Sequence, residues 1–409
     1  MGMGRTTLAV VRSNDNSRVD VAVTPPMLLD DDNCYRAIRA RDSRFDGRFF
    51  VAVSSTRIYC RPVCTAKLPK RENCRFFPNI EAAEAAGYRA CLRCRPRFFS
   101  AGAPDDALKY RTLRGTARGA TASDAEVFEL GFRPPYDWES MLAFLAARAI
   151  SGVEEVDGVS YRRTVPLSQD GRQNTGWVEV SPREGKDALR VVISASLSKV
   201  VPAVLGRVRR LMDLASNVTE ISAMLGTFAA ANPGLRVPGA FDGFEIGVRA
   251  ILGQQVTVAA ARTVAGRFAA AFGSMIETPY TALKTVFPAP QKIAKLTVDH
   301  IARLGILSAR SRSIIALARA IADGEIQLDR AIDVASELDK LRALPGIGEW
   351  TAQYIAMRAL NWPDAFPHTD FGVMKALGET NPKRVIETSQ AWRPWRSYAV
   401  MHLWQSLHQ

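Results

Sequence analysis

The segment from Leu341 to Asp370 constrains the fold of this chain more than any other. A helical pattern ends near Leu344, and the tetrapeptide Pro345-Gly-Ile-Gly348 predicts a tight turn. A second helix is expected to begin at about Glu349. Glycines in such a turn let backbone N–H groups approach a ligand closely, and the N-terminus of the following helix attracts anions. The segment therefore predicts two helices joined by a turn that can bind a phosphate group.

This pattern is that of a helix-hairpin-helix motif, which grips the DNA backbone without reading base sequence. A Gly-Ile-Gly turn by itself is typical of many helix pairs that meet closely. The longer run Leu344-Pro-Gly-Ile-Gly-Glu-Trp-Thr-Ala352 favours the DNA-binding interpretation. We therefore expect Gly346, Gly348 and Thr351 to contact the phosphates of double-stranded DNA.

The charge of the chain is consistent with an anionic partner. Its 409 residues include 54 Lys and Arg but 41 Asp and Glu, which gives a net charge of +13. An excess of this size favours nucleic acid, although basic proteins without such a partner are common. No stretch approaches the roughly 18–20 apolar residues of a membrane span. We expect a cytoplasmic, nucleoid-associated monomer that contacts no membrane.

All six cysteines lie between Cys34 and Cys94, and four of them form two close pairs. The pairs are Cys60-Arg-Pro-Val-Cys64 and Cys91-Leu-Arg-Cys94. In a reducing compartment such clusters indicate a metal rather than disulfides, and four thiolates suit one tetrahedral zinc ion. The zinc could be purely structural. Alternatively, because zinc holds cysteine as the nucleophilic thiolate, one ligand could accept a methyl group from a methylated DNA phosphate.

Four runs carry a family resemblance: Arg41-Asp-Ser-Arg-Phe-Asp-Gly-Arg-Phe-Phe50, Ile58-Tyr-Cys-Arg-Pro-Val-Cys64, Arg71-Glu-Asn73 and Ala86-Gly-Tyr-Arg-Ala-Cys-Leu-Arg-Cys-Arg-Pro96. Together, residues 34–97 resemble the zinc-binding methylphosphotriester-repair domain of the Ada family. The resemblance implies four zinc ligands, which are Cys60, Cys64, Cys91 and Cys94. It implies that Cys60 accepts the methyl group. It also implies three contacts to the DNA backbone, from Thr56, Lys67 and Arg89, where Lys67 replaces the usual Arg.

Two domains that often accompany such a zinc domain are not expected here. Ada regulators usually continue into a pair of helix-turn-helix units, and the interval 100–131 is too short to hold them. Its content of Ala, Gly, Thr, Arg and Asp is that of a linker. The Pro-Cys-His-Arg motif of O6-methylguanine methyltransferases does not occur. A methylation-responsive transcriptional regulator is an alternative function, and the missing helix-turn-helix units argue against it.

Asp370 follows the hairpin helix after a short loop and opens the next helical pattern. In isolation it predicts a helix N-cap. In helix-hairpin-helix glycosylases, however, an Asp at this distance from the hairpin faces the flipped nucleotide. Its charge can stabilise the positive charge that develops on the sugar as the glycosidic bond breaks, and it can orient the attacking water. We therefore expect Asp370 to be both a helix cap and the catalytic carboxylate.

Trp350 limits the reaction that this carboxylate can support. Bifunctional members of the superfamily have a Lys at that position of the hairpin helix, which forms a Schiff base, and Trp cannot form an imine. We therefore expect simple hydrolysis that leaves an abasic site without strand cleavage. No four-cysteine cluster follows the hairpin in the sequence, so we expect neither an iron–sulfur cluster nor another cofactor for this step.

Further runs in the second part of the chain are Phe132-Arg-Pro-Pro-Tyr-Asp-Trp138, Phe144-Leu-Ala-Ala-Arg-Ala-Ile150, Pro233-Gly-Leu-Arg-Val-Pro-Gly239, Arg249-Ala-Ile-Leu-Gly-Gln-Gln-Val256 and Trp392-Arg-Pro-Trp-Arg-Ser-Tyr-Ala399. With the hairpin, they resemble the DNA-3-methyladenine glycosylase II family over residues 132–408. The resemblance implies Asp370 as the catalytic residue. It also implies an aromatic pocket that stacks on a cationic alkylated purine, lined by Trp350, Tyr354, Trp404 and Phe144.

Three positions depart from the pattern of that family. Gln255 stands where the family has a Leu wedge, which fills the gap left by the flipped base. Thr369 and Phe371 replace an acidic residue and a Tyr on either side of the expected catalytic Asp. These changes predict a shifted selectivity among damaged bases.

The expected architecture is an α+β multidomain protein. A flexible tail (1–32) and a small zinc domain (33–99) precede a linker (100–131). A small α/β layer with an antiparallel sheet (132–214) packs on a helical helix-hairpin-helix domain (215–409). Helical patterns cover 241–271, 310–323, 334–343, 348–360, 370–377 and 394–408. We expect a monofunctional DNA glycosylase for alkylated purines, fused to a zinc domain that either accepts methyl groups or only tethers the enzyme to DNA.

Overall fold

The computed structural model describes residues 28–98, 110–113, 125–169, 172–329 and 333–407. Most of the predicted tail, residues 1–27, lies outside these ranges. Its last residues belong to the zinc domain, because the acidic run begins helix α1 (Asp31–Ala40). Asp30 caps this helix by accepting the Asn33 N–H at 2.8 Å, and Asp31 and Asp32 complement the positive end of the helix dipole.

The zinc domain contains a four-stranded sheet. Its strands are β1 (Phe50–Val53), β2 (Ile58–Cys60), β3 (Cys74–Phe77) and β4 (Arg89–Ala90), in the order β3-β1-β2-β4. β1 pairs antiparallel with both neighbours, and β2 pairs parallel with β4. Helix α2 (Ile80–Ala85) packs on Phe50 and Tyr59 through Ala83. Because β2 and β4 run side by side in the same direction, the two cysteine pairs, which begin at the C-terminal ends of these strands, come together.

A six-stranded antiparallel sheet forms the next layer. Its strands are β5 (Arg111–Leu113), β6 (Ala125–Gly131), β7 (Glu154–Asp157), β8 (Ser160–Gln169), β9 (Arg172–Pro182) and β10 (Ala188–Ser194), in the order β5-β6-β10-β9-β8-β7. Helices α3 (Trp138–Arg148) and α4 (Val201–Leu211) share a core with the sheet. Side chains of alternate strand residues enter that core, as Phe128 and Leu130 do in β6.

Part of the predicted linker belongs to this sheet. β5 and β6 both fall within 100–131, and β6 pairs with β10 along its whole length, from Ala125 opposite Ser194 to Gly131 opposite Ala188. Phe128 is buried at 2% exposure. The predicted linker was too long because Val127, Phe128 and Leu130 form only a short apolar run at its end, and β10, the partner of β6, lies far along the chain. The sheet layer therefore begins before residue 132.

The rest of the described chain is mainly helical, as predicted. Its elements are α5 (Val218–Leu225), α6 (Thr227–Ala230), α7 (Gly243–Leu252), α8 (Val258–Phe272), β11 (Ser274–Met275), β12 (Thr285–Val286), α9 (Pro290–Ile293), α10 (Val298–Ala302), α11 (Ser308–Ala322), α12 (Val334–Ala343), α13 (Glu349–Arg358), α14 (Phe371–Leu377), α15 (Pro382–Ser389) and α16 (Arg396–Ser406). Helices α11, α12, α13, α14 and α16 match predicted segments. The helices α5, α6, α9, α10 and α15 were not predicted.

One helical prediction was wrong in part. The segment 241–271 forms two helices, α7 and α8, which are separated by residues 253–257. Gln255 lies in this break with a left-handed φ of +53°. Thr257 then starts α8 by accepting the Ala260 N–H at 3.2 Å. A right-handed helix does not continue through a left-handed residue, and apolar periodicity alone does not reveal such a residue.

The zinc domain packs directly on the helical domain. Phe45 meets the ring of Trp362 edge-on, with 5.4 Å between the ring centroids. Asp42 accepts the indole N–H of Trp395 at 3.0 Å and forms an ion pair with Arg44 at 2.5 Å. Both aromatic residues of the helical domain are buried in this contact. The chain between the two domains is therefore not their only connection.

Arg44 extends this contact to the end of the sheet layer and to the helical domain. Its guanidinium pairs with Asp213 at 3.4 Å and donates to the Tyr398 hydroxyl at 2.5 Å. Burial raises the pKa of Asp42, but the charge of Arg44 and its hydrogen bonds outweigh burial and lower that pKa overall. For Asp213 burial wins over the charge of Arg44, and its pKa is raised.

The predicted α+β multidomain class is confirmed. The described residues combine a small sheet with a four-cysteine cluster, a larger antiparallel sheet and a helical domain. In the part of the chain that the structure describes, no helix is both long enough and apolar enough to cross a bilayer.

Candidate active site and thiolate cluster

The turn between α12 and α13 is built around one glycine. Gly346 has a φ of +73°, and a Cβ added there would lie 2.3 Å from Oγ of Ser313. Ile347 is buried and anchors the turn, whereas Gly346 and Gly348 are exposed. No side chain caps α13, so the N–H groups of its first turn are available to an outside acceptor. This geometry suits a phosphate oxygen.

Thr351 is buried, unlike the exposed Gly346 and Gly348. Its side chain is 2% exposed, and its hydroxyl accepts a hydrogen bond from Nε2 of Gln254 at 2.9 Å. Gln254 also donates to the carbonyl of Gly346 at 2.9 Å, and Arg310 donates to the carbonyl of Gln254. The Thr351 hydroxyl thus braces the turn from inside. The sequence analysis missed Gln254, although it directly precedes the expected wedge.

Gln255 is exposed in the break between α7 and α8. Its left-handed backbone is uncommon for a residue with a side chain and costs conformational energy. Its neighbour Gln254 fixes the break to the hairpin turn through the bonds described above. The candidate wedge and the candidate phosphate site are therefore held on one rigid unit.

Asp370 is the N-cap of α14, as its local sequence predicted. Its Oδ1 accepts the Val373 N–H at 3.0 Å. The same oxygen accepts the indole N–H of Trp404 at 2.8 Å, and Oδ2 accepts the indole N–H of Trp350 at 2.8 Å. None of the ion pairs among the described residues involves Asp370. Three neutral N–H donors therefore orient the carboxylate and leave its negative charge uncompensated.

The approach of Trp404 to Asp370 requires a glycine two residues after the carboxylate. A Cβ on Gly372 would lie 2.9 Å from Cδ1 of Trp404 and 3.1 Å from Oδ1 of Asp370. The first distance is shorter than carbon atoms tolerate without moving apart. Gly372 therefore leaves the space through which the indole reaches the carboxylate.

Four aromatic rings from three helices surround this carboxylate. Trp350 stacks on Tyr354 with 5.4 Å between centroids and 19° between planes. Phe144, from α3, lies nearly parallel to Trp404 at 6.4 Å and 19°. Packed aromatic pairs commonly have centroids about 4.5–7 Å apart, so these two rings belong to one aromatic wall. The structure thus brings together all five residues that were predicted for the base pocket and its catalytic group.

Two arginines that the sequence analysis missed lie against these rings. The guanidinium of Arg148 sits 3.8 Å from the centroid of Phe144, and that of Arg358 sits 4.8 Å from it. Arg358 also donates from Nη1 to the Tyr354 oxygen at 2.9 Å. Arg148 belongs to the quoted run that ends at Ile150, but nothing in that run indicates the stacking.

The four predicted zinc ligands form one cluster. The sulfur atoms of Cys60, Cys64, Cys91 and Cys94 all lie within 4.8 Å of one another. Tetrahedral zinc with Zn–S bonds of about 2.3 Å separates its sulfurs by about 3.8 Å, so the cluster fits one ion after a small contraction. Cys60 is 8% exposed, and Cys64 and Cys94 are more accessible. The Arg61 N–H donates to the sulfur of Cys94 at 3.5 Å.

The three residues predicted to contact the DNA backbone in this domain lie at its surface. Thr56, Lys67 and Arg89 are all exposed. Among the described residues, no ion pair involves Lys67 or Arg89, so both charges face solvent. Arg61, in contrast, is bound to Asp46 through Nε at 2.9 Å.

Three family models match consecutive parts of the chain. The model of the metal binding domain of Ada matches residues 33–97. The model of the AlkA N-terminal domain matches residues 127–242, and that of the HhH-GPD superfamily of base excision DNA repair proteins matches residues 248–395. These matches coincide with the zinc domain, the sheet layer and most of the helical domain.

Two relatives match most of the chain. One is the probable bifunctional transcriptional activator/DNA repair enzyme AlkA of Mycobacterium tuberculosis, which is 32% identical over 92% of this chain and 97% of the relative. The other is DNA-3-methyladenine glycosylase 2 of Escherichia coli K12, which is 36% identical over 68% of this chain and 96% of the relative. The solved 3-methyladenine DNA-glycosylase from Archaeoglobus fulgidus, 20% identical, has the same fold over 68% of this chain and 96% of its own, with a TM-score of 0.55.

Proposed function

The chain belongs to the family of AlkA and DNA-3-methyladenine glycosylase 2 and carries an Ada-type zinc domain, and we propose that it excises alkylated purines such as 3-methyladenine from double-stranded DNA. It is a DNA glycosylase of alkylation repair, and it binds DNA. We further propose that it acts as a monomer.

The observation that carries the proposal is the environment of Asp370. Its carboxylate is bound by the indoles of Trp350 and Trp404, whose rings belong to the same pocket. An anion that no cation neutralises can stabilise positive charge on the sugar as the glycosidic bond lengthens. It can also accept a proton from the attacking water. An alkylated purine is already a good leaving group, so no acid is needed to protonate it.

Each remaining part of the site has one task in this reaction. The rings of Phe144 and Trp404 would line the pocket of the flipped base, since a cationic purine is attracted to electron-rich faces. Gln255 would fill the gap in the duplex. Gly346 and Gly348 would bind a phosphate beside the lesion. Because Trp350 cannot form an imine, the product would be an abasic site with both strands intact.

Asp370→Asn tests this assignment because Asn keeps one acceptor oxygen for the helix cap and for Trp404, while it removes the negative charge and the acceptor for Trp350. Methylated duplex DNA is incubated with the enzyme, and the released bases are separated by chromatography. We expect release of 3-methyladenine to be nearly abolished while DNA binding is retained. Asp333→Asn is the matched control, since Asp333 caps α12 in the same way by accepting the Ser336 N–H at 3.0 Å. Full activity of Asp370→Asn would refute the catalytic role.

For the zinc domain we propose a second, single-use reaction. Cys60 would attack the methyl carbon of a methyl phosphotriester, forming an S–CH3 bond while the C–O bond breaks and the phosphodiester anion leaves. A bound zinc ion would keep the four cysteine sulfurs in the thiolate form. The exposed Thr56, Lys67 and Arg89 would hold the DNA backbone nearby.

Mass spectrometry of cysteine peptides tests this reaction without removing a zinc ligand. After incubation with methylated DNA we expect one methyl group, on Cys60. Methylation of Cys64 or Cys94, which are more accessible, would identify that cysteine as the methyl acceptor in place of Cys60. A chain that stays unmethylated would leave the zinc domain as a DNA tether only.

A role in transcription has one observation in its favour, which is the name of the mycobacterial relative. The alignment with that relative spans 488 positions, whereas this chain has 409 residues. The relative therefore contains segments that this chain lacks, and its name does not extend to this chain by similarity alone.

A further inference from the structure

Behind the aromatic pocket lies a buried cluster of charged side chains. Arg163 pairs with Glu245 at 2.6 Å and with Glu154 at 3.8 Å. Arg249 pairs with Glu154 at 2.7 Å and with Glu245 at 3.1 Å. Each glutamate thus contacts both arginines. Two positive and two negative charges balance within this set, as a buried ion cluster requires.

Two more arginines adjoin this cluster without a carboxylate of their own. Arg148 donates from Nη1 to the carbonyl of Phe144 at 3.4 Å, and Arg358 donates to backbone carbonyls that include Gly239 at 3.1 Å. Within the described part of the chain, neither forms an ion pair with Asp or Glu. Burial lowers the pKa of both guanidinium groups. Two positive charges therefore lie at the pocket wall without a balancing anion.

These charges converge on the phenol of Tyr354. Arg358 faces it from the same helix and donates to its oxygen at 2.9 Å. Arg148 faces it from α3 and Arg249 from α7. Trp404 of α16 contributes a ring, with 6.4 Å between centroids. Burial raises the pKa of Tyr354, but the three positive charges and the hydrogen bond from Arg358 outweigh burial and lower it overall.

The pocket wall has a consequence for the substrate of the proposed reaction. Purines methylated at N3 or N7 are cations, and a wall with two unbalanced guanidinium groups repels a cation. One negative charge on the Tyr354 oxygen would lie between the arginines and the base. It would cancel most of that repulsion, and it would make the ring on which Trp350 stacks richer in electrons.

We propose that Tyr354 works as a tyrosinate held by Arg148 and Arg358, and that this anion makes the pocket selective for positively charged purines over neutral ones. The proposal rests on the proposed glycosylase function for its substrates. Ionisation releases the phenolic proton to solvent, and the two guanidinium groups provide the compensating charge. Asp370 acts on the sugar, whereas the Tyr354 oxygen acts on the charge of the base.

Tyr354→Phe tests the selectivity because it keeps the ring and removes only the oxygen. Excision is measured with duplexes containing 7-methylguanine, which is cationic, or hypoxanthine, which is neutral. We expect 7-methylguanine excision to fall about tenfold, because one favourable charge contact is lost. Hypoxanthine excision should fall less, so that the ratio of 7-methylguanine to hypoxanthine excision decreases. An equal loss on both substrates, or a larger loss on hypoxanthine, would overturn the proposal, since a neutral phenol that packs or donates a hydrogen bond produces that pattern.

The ionisation is measured separately by the near-ultraviolet absorption of tyrosinate during a pH titration. We expect wild type to carry one tyrosinate at the pH of the excision assay that Tyr354→Phe lacks, whereas an ordinary tyrosine, with a pKa of about 10, is protonated there. Tyr280→Phe is the matched control, since its hydroxyl binds Glu179 at 3.2 Å and both burial and this carboxylate raise its pKa. Identical titrations of wild type and Tyr354→Phe would refute the tyrosinate.

The two measurements separate this inference from the proposed function. If wild type releases no damaged base, the glycosylase assignment fails, and the titration still decides the charge of Tyr354. If wild type releases both bases and the selectivity of Tyr354→Phe is unchanged, the glycosylase assignment stands and the role of the anion is wrong.

Discussion

The indole N–H of Trp350 donates to Asp370, with 2.8 Å between Nε1 and Oδ2. The indole N–H of Trp404 donates to Oδ1 of the same carboxylate at the same distance. Rings that would stack on the base therefore also orient the proposed catalytic group. A base that displaces either ring also displaces the carboxylate, so recognition and chemistry depend on the same two side chains.

Trp350→Phe removes this hydrogen bond and keeps a ring beside Tyr354. We expect kcat for release of 7-methylguanine to fall about 10- to 100-fold, because a hydrogen bond to a charged group contributes about 1.5–3 kcal/mol. KM should change less. Trp392→Phe is the control, since Trp392 stacks on Phe228 at 5.4 Å, away from Asp370. A comparable loss in both variants would contradict the specific role of the Trp350 N–H.

Gly372→Ala should disable the site without unfolding the protein. The new Cβ meets Trp404 at 2.9 Å and Asp370 at 3.1 Å, so the indole must move away from the carboxylate. We expect a loss of excision comparable to that of Trp404→Phe, together with a shift in tryptophan fluorescence. Gly266→Ala is the control. Gly266 lies inside α8, and its new Cβ would make only an ordinary contact of 3.6 Å with Ser151. That change should be neutral or slightly stabilising. Normal excision by Gly372→Ala would show that the approach of Trp404 is not needed.

Gly346→Ala should weaken DNA binding. Two penalties act there: a left-handed backbone, which costs about 1–2 kcal/mol for a residue with a side chain, and a 2.3 Å contact with Oγ of Ser313. Ser313→Ala removes the second penalty only, because the next Ser313 atom lies 3.6 Å away. We therefore expect the double variant to recover part of the lost affinity for undamaged duplex, measured by fluorescence anisotropy. If the double variant regained the full affinity, the clash with Ser313 would explain the whole loss and the left-handed backbone would contribute nothing.

The docked domains should unfold together. All seven tryptophans lie at or after Trp138, outside the zinc domain, so their fluorescence monitors the glycosylase part and, through Trp362 and Trp395, its contact with the zinc domain. Asp42→Ala removes a buried carboxylate from Arg44 and Trp395, which should cost about 3–5 kcal/mol. We expect this loss in the tryptophan-detected free energy of unfolding, and a smaller loss when a chelator removes the metal. Two separate transitions in wild type would contradict the coupling.

His402 should make the protein sensitive to acid. It is 8% exposed and packs edge-on against Phe228, and burial lowers its pKa to about 4. Since the unfolded residue titrates near 6.5, its stabilising contribution is complete above that pH and is lost as the pH falls toward 4. The loss amounts to about 3 kcal/mol. His402→Met should remove this part of the pH dependence, as measured by urea unfolding across the same range. An unchanged slope would rule out His402.

The sequence predicted the residues of the site better than their contacts. The hairpin and the offset of Asp370 are local patterns, so both could be read directly. The bond between Trp404 and Asp370 and the convergence of Arg148 and Arg358 on Tyr354 join segments far apart in the chain, and no periodicity reports such pairs. For the same reason β6 was taken for linker, because its partner β10 lies well beyond it. Thr351 belonged to the right motif, but only packing reveals that its hydroxyl faces inward to Gln254.

The contact of Phe45 and Arg44 with the helical domain also bears on how such a fusion persists. A chain that lacked the zinc domain would expose Trp362 and lose the ion pair between Arg44 and the buried Asp213. Each loss is unfavourable by itself, and together they would favour aggregation of the shortened chain. Once the zinc domain has become part of the core of the helical domain, deleting the zinc domain no longer leaves an intact glycosylase. The fusion is then easier to keep than to reverse, whether or not Cys60 still accepts methyl groups.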